Sequence, residues 1–206
     1  MSPTATLLTV AAVHWVAMAS PGPNVLLVAQ TAMSRGRREA LAAAAGVASG
    51  ALLLSGAAAL GLGLLVEGAA PLRTAIQLAG AAYLMYLGVQ IWRSAGRPLV
   101  VAPAGPRRAS LARDFRRGLL TNLTNPKALV FFGSVLAPTL DVGESGWVGI
   151  AAVVVIAVDA LIWHSLLAVA FARPGVQRGY GRAKTTIDRA VGGLLALIGV
   201  RLAWSA

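Results

Sequence analysis

Two short runs combine proline with side chains able to hold a small ion or zwitterion: Ser20-Pro21-Gly22-Pro23-Asn24 and Asn122-Leu123-Thr124-Asn125-Pro126-Lys127. Each lies inside a long apolar stretch. Proline has no N–H and clashes with the carbonyl four residues before it, so Pro21, Pro23 and Pro126 free the carbonyls of Ala17, Ala19 and Asn122. Gly22 permits a sharp change of direction. Ser20 and Asn125 are good N-caps, and Pro21 and Pro126 are good first helical residues, so a helix can restart at each run. The free N–H groups and partial positive charge of such a start suit a carboxylate. Asn24 adds a neutral donor and acceptor. Substrate binding is therefore expected at Ser20, Pro21, Gly22, Pro23, Asn24, Asn122, Asn125, Pro126 and Lys127. The competing reading of each run is a proline kink that serves packing alone.

Lys127 falls near the centre of its apolar stretch, where an ammonium costs about 2.5–3.5 kcal/mol on membrane-insertion scales. It needs a partner or water. Asp159 reads as the one acid deep in any apolar stretch, midway between Glu144 and Arg173. Opposite charges at one depth predict either a coupled proton site or a structural Lys–Asp lock between helices. In the first case Asp159 takes up and releases a proton while Lys127 or the helix start holds a carboxylate. His14 and His164 are read as helix–helix hydrogen-bond donors. No further ligand sits at metal-binding spacing, so no metal and no cofactor is expected. With no cysteine in the chain, disulfides and thiolate chemistry are excluded.

The elements that must position these residues follow from composition. The chain has 206 residues, of which 57% are hydrophobic and 12% charged, the balance of a membrane protein rather than a soluble domain. Residues 40–66 and 74–92 carry no charge at all. Six membrane spans are expected, at about 5–33, 40–66, 72–93, 117–139, 146–172 and 187–205. Ala17-Met18-Ala19 resembles a signal-peptidase site, but no Lys or Arg precedes it and apolar sequence resumes at Val25, so a retained first helix is expected.

The net charge of +11 is carried mainly by alternate loops. Arg35, Arg37 and Arg38 follow the first span. Arg97, Arg107, Arg108 and Arg113 follow the third, and Arg173, Arg178, Arg182 and Lys184 follow the fifth. The positive-inside rule then sets these loops in the cytoplasm and both termini outside. Nucleic acid is not needed to explain the charge; lipid is the expected surface partner.

An odd number of spans per half inverts the second half relative to the first, the inverted-repeat plan of many secondary transporters. The expected fold is an all-α membrane protein with six transmembrane helices in two inverted three-helix repeats, spans one and four being broken. The first repeat covers residues 1–94, a basic cytoplasmic loop 95–114, and the second repeat 115–206. Leu111–Arg117 reads either as a solvated loop or as a short basic surface helix. Gly46 and Gly50 form a GxxxG, explained equally by close packing within one chain or by a homodimer.

Ser20-Pro21-Gly22-Pro23-Asn24 with Val25-Leu26-Leu27-Val28 resembles the first-helix signature of the LysE/RhtB family of amino-acid exporters. Gly80–Gly88 looks like that family's third helix, and Phe115–Phe132, with Asn122 to Lys127, is similar to its fourth. Asp159 with Trp163 fits its fifth. The resemblance implies export of an amino acid or close derivative by proton antiport in a bacterial inner membrane, with alternating access about a midplane site. Many relatives carry Asp where this chain has Asn24, so the charge at that position differs. The competing classes are an intramembrane enzyme and a non-transporting membrane subunit. An enzyme would need a nucleophile–base set or metal ligands, and neither HExxH nor GxSxG is present.

Overall fold

A computed structural model of the chain describes residues 2–19, 22–66, 70–97, 110–136 and 146–204. These residues are helical and form α1 (Pro3–Ala19), α2 (Pro23–Arg35), α3 (Arg37–Val66), α4 (Ala70–Ser94), α5 (Leu111–Leu123), α6 (Pro126–Val130), a π-helical segment (Phe131–Leu136), α7 (Gly146–Phe171) and α8 (Pro174–Trp204). α1 and α2 meet at 59°. α2 ends on Gly36, whose φ of 107° is open to glycine and strained for other residues, and whose N–H caps the Thr31 carbonyl at 3.2 Å. α3 begins at the next residue, so the chain reverses over a single position.

Long charge-free runs make the long helices. α3 has 30 residues and α7 has 26, enough at 1.5 Å per residue to cross a hydrocarbon layer of roughly 30 Å. Among the described residues, Arg37–Leu60 and Gly146–Phe171 are long and apolar enough to span a membrane, and the bent pair α1–α2 makes a third candidate. α4 and α8 have the length but are more polar. α4 carries Gln77, Gln90 and Arg93, and the apolar end of α8 still holds Asp188, Arg189 and Arg201.

Two boundaries differ from those read in the sequence. α8 starts at Pro174 rather than near 187, so Arg178, Arg182 and Lys184 lie on a helix and not in a loop. Pro174 begins it, and Lys184 pairs with Asp188 one turn later along the same face. α5 starts at Leu111, where Ser110 as N-cap accepts from the Arg113 N–H. Leu111–Arg117 is thus the first half of a longer helix, and the last four residues of the expected 95–114 loop belong to it. Asp114 and Asp188, each 1% exposed, are buried acids that the sequence reading did not single out. Arg35 at the end of α2 forms an ion pair with Asp114.

Small residues set the packing. α3 lies against α5 on one side and α7 on the other, while α4 packs along α8. A Cβ built on Gly46 would come within 2.0 Å of the Phe115 carbonyl, and one on Gly118 within 2.0 Å of the Ala43 carbonyl. The α3 and α5 backbones therefore touch, as small residues allow in membrane helices. Gly50 packs on Asn122 in the same seam, so this contact within one chain accounts for the GxxxG. Gly88 and Gly192 make the equivalent close approach between α4 and α8.

Gly118→Val forces the α3–α5 seam apart and is expected to lower stability by about 1–3 kcal/mol or more, the usual cost of overpacking. Gly56 has nothing within 4 Å of its added Cβ. Gly56→Ala is expected to be neutral or mildly stabilising, since alanine favours a helix interior. Thermal melting of the two variants in detergent, followed by size-exclusion fluorescence, checks the contrast.

Candidate functional site

The two proline-containing runs are far apart in sequence and adjacent in space. At the second run, α5 stops at Leu123 and α6 begins at Pro126. Asn125 is the N-cap, its Oδ1 accepting from the Lys127 N–H at 3.0 Å. The Asn122 carbonyl, which Pro126 cannot serve, accepts from the Asn125 N–H at 3.1 Å. At the first run, α2 starts at Pro23 with Gly22 in extended conformation as its cap, two residues beyond the Ser20–Pro21 start read in the sequence. Ser20 and Pro21 themselves lie outside the described residues. Pro23 is a preset first helical residue, which accounts for the later start.

Three hydrogen bonds join the runs to each other, to α1 and to α3. Lys127 Nζ donates to the Ala17 carbonyl at 2.9 Å, a carbonyl that Pro21, four residues on, has no N–H to satisfy. Asn24 Nδ2 donates to Asn122 Oδ1 at 2.7 Å, and Asn122 Nδ2 donates to the Val47 carbonyl at 3.0 Å. Asn122 and Asn125 are each 2% exposed.

Around these bonds lies a small cavity of about 50 Å³, partly open to solvent. Its polar wall comprises His14, Asn24, Asn122, Asn125, Lys127 and His164. Gly22 and an apolar side of Met18, Phe131 and Phe132 complete it. Two amide atoms of opposite sense are buried with no hydrogen-bond partner among the described residues: the acceptor Asn24 Oδ1 and the donor Asn125 Nδ2. Buried polar atoms of this kind normally find partners. One such acceptor, one such donor and an ammonium in one cavity match the inventory of a zwitterion. Pro23 and Pro126 shape the helix starts and are not among the lining residues.

Asp159 is not part of the cavity wall. Its Oδ2 lies 3.8 Å from His14 Nδ1, whereas Lys127 reaches back to α1. The two histidines, read in the sequence as helix–helix hydrogen-bond donors, both line the cavity. His164 is held within its own helix, Nδ1 lying 2.8 Å from the Ala160 carbonyl. Among the described residues no group of three or more His, Cys, Asp or Glu could hold a metal ion.

The chain belongs to a known family: the LysE type translocator model matches residues 15–206. It is 42% identical over 199 residues to a threonine efflux protein of Escherichia coli strain K12, covering 95% of this chain and 96% of that one. A homoserine/homoserine lactone efflux protein of Salmonella typhimurium is 30% identical, with 89% of each chain covered. An uncharacterized membrane protein of Pseudomonas aeruginosa is 34% identical over 89% of this chain and 88% of its own. No solved structure matches the chain.

Asn122 serves two partners. Asn122→Ala would leave Asn24 Nδ2 without its acceptor and strip the Val47 carbonyl of the bond it accepts beyond its own helix, a loss of about 1–3 kcal/mol. The expected outcome is a clear drop in thermal stability in detergent, larger than that of Thr124→Ala, whose exposed hydroxyl bonds only to the Leu120 carbonyl of its own helix.

Proposed function

We propose that this chain exports small neutral amino acids, threonine among them, from the cytoplasm in exchange for protons by alternating access. The observation that carries the reading is the meeting of the two interrupted helices, through Lys127 on the Ala17 carbonyl and Asn24 on Asn122. The efflux proteins to which the chain is similar support the direction and the substrate class. In this reading the substrate carboxylate lies against Lys127 and Asn125 at the start of α6, where the amide N–H groups and helix dipole favour an anion. Asn24 Oδ1 accepts from the ammonium or a side-chain hydroxyl. Gly22, Pro23 and Pro126 shape the helix starts beside the cavity, and Asp159 carries the coupling proton.

The packing supports six spans in two inverted repeats. If α1–α2 corresponds to α5–α6 and the π-helical segment, α3 to α7 and α4 to α8, then the α3–α7 and α4–α8 contacts map onto themselves. The α3–α5 contact maps onto α7–α1, and both pairs are packed. A pseudo-two-fold axis through the cavity has this consequence. In the same reading the basic loops face the cytoplasm of a bacterial inner membrane and both termini lie outside.

Purified protein in proteoliposomes with an acidic lumen is expected to accumulate labelled L-threonine, and preloaded threonine to accelerate its entry. Lys127→Met is expected to reduce both at least tenfold with the protein still monodisperse. Asp159→Asn is expected to lose accumulation. Wild-type protein that shows neither exchange nor accumulation with any neutral amino acid would reject the reading in favour of a non-transporting subunit.

A further inference from the structure

We infer that the coupling proton is held by a two-residue unit, His14 with Asp159, and that His14 is its cavity-facing member. This rests on the export reading above and assigns the proton a place within it. His14 Nδ1 and Asp159 Oδ2 are both buried, and neither has a hydrogen-bond partner among the described residues. They face each other at 3.8 Å, from α1 and α7. That is too far for a hydrogen bond and close enough that a shift of under ~1 Å would make one. A carboxylate oxygen and an imidazole nitrogen left bare and opposed in an apolar wall are costly unless another state of the pair satisfies them.

The surroundings single out His14. Its ring is 3% exposed and lines the cavity, while Asp159 stands behind it. The ring packs against Phe131 at 5.7 Å and Phe132 at 6.0 Å between centroids, both just beyond the turn that carries Lys127. Ala17, the residue bonded by Lys127, lies one turn along the same face of α1. The titratable groups that face His14 are Asp159 and His164 from α7 and Lys127 from α6. His164 already uses its Nδ1 on the Ala160 carbonyl, which leaves His14 as the imidazole with Nδ1 open to the carboxylate.

Uptake of one proton from cavity water forms an N–H bond at His14 Nδ1. The pair passes from carboxylate with neutral imidazole, net −1, to carboxylate with imidazolium, net zero. Release returns the proton to water. The negative form attracts the substrate's ammonium and the neutral form does not. Proton and substrate therefore compete for one charge, which is the condition for antiport. The two members come from opposite halves of the chain, so movement between the halves changes their separation.

The test compares threonine exchange with pH-gradient-driven accumulation in proteoliposomes of the full chain, for wild type, H14Q, H14N, D159N and H14Q/D159N. The expected result is a tenfold or greater loss of accumulation in each variant, exchange weakened through a raised threonine KM, and a double variant no worse than either single one. The exchange rate should also lose its dependence on external pH. Gradient-driven accumulation kept in both H14Q and H14N would overturn the proposal. So would exchange in H14Q/D159N clearly weaker than in either single variant, because His14 and Asp159 would then act separately. Absence of exchange in the wild type would instead reject the export reading.

Discussion

A freed carbonyl in hydrocarbon has no water to turn to, and this constraint governs the centre of the molecule. Breaking a helix across a membrane exposes backbone groups, each costing several kcal/mol if left alone. Here the two interruptions serve each other. The ammonium that would be expensive at Lys127 and the carbonyl that would be expensive at Ala17 are one hydrogen bond. Asn122 extends the arrangement to α2 and α3. Two liabilities are thereby converted into a fixed polar surface, and Asn24 Oδ1 and Asn125 Nδ2 are left over, buried with no hydrogen-bond partner among the described residues.

Close helix packing makes that geometry possible. Asn122 can reach the Val47 carbonyl because α5 lies directly against α3, and it does so because Gly46 and Gly118 place no side chain between the backbones. The apolar wall is built the same way. Ala48, Ala51, Ala128, Ala152 and Ala160 let helices approach, and Phe131, Phe132 and Ile156 fill the remaining volume. Where small residues line a seam the helices touch; where aromatic residues line it they stand apart and leave room.

The sequence made some of this legible and not the rest, for physical reasons. α3 and α7 are uninterrupted apolar runs, and membrane length is a local property of composition. The helix start at Asn125-Pro126 is likewise local, set by two residues. The partners of that start were not readable. Asn24 and Asn122 are 98 positions apart and Lys127 and Ala17 are 110, and no periodicity encodes a contact at such separation. The expectation that Lys127 faces Asp159 rested on equal depth alone, and depth fixes only one of three coordinates. The start of α8 was misread because a helix outside the apolar layer shows no apolar stripe. Its Lys184–Asp188 spacing was the available signal. Asp114 was hidden by its neighbours Arg113, Arg116 and Arg117, which together look like a solvated loop.

The direct contact of the α3 and α5 backbones bears on how the molecule can move. With carbonyl oxygen against glycine Cα there is no cushion of side chains to shear, so neither helix can slide or roll on the other without a clash. In the proposed transport cycle the two would move as one block. A displacement of α6 relative to that block would fall on Thr124 and Asn125, between α5 and the restart at Pro126. A link so short would let α6 swing but hardly travel, carrying the amine of Lys127 along an arc.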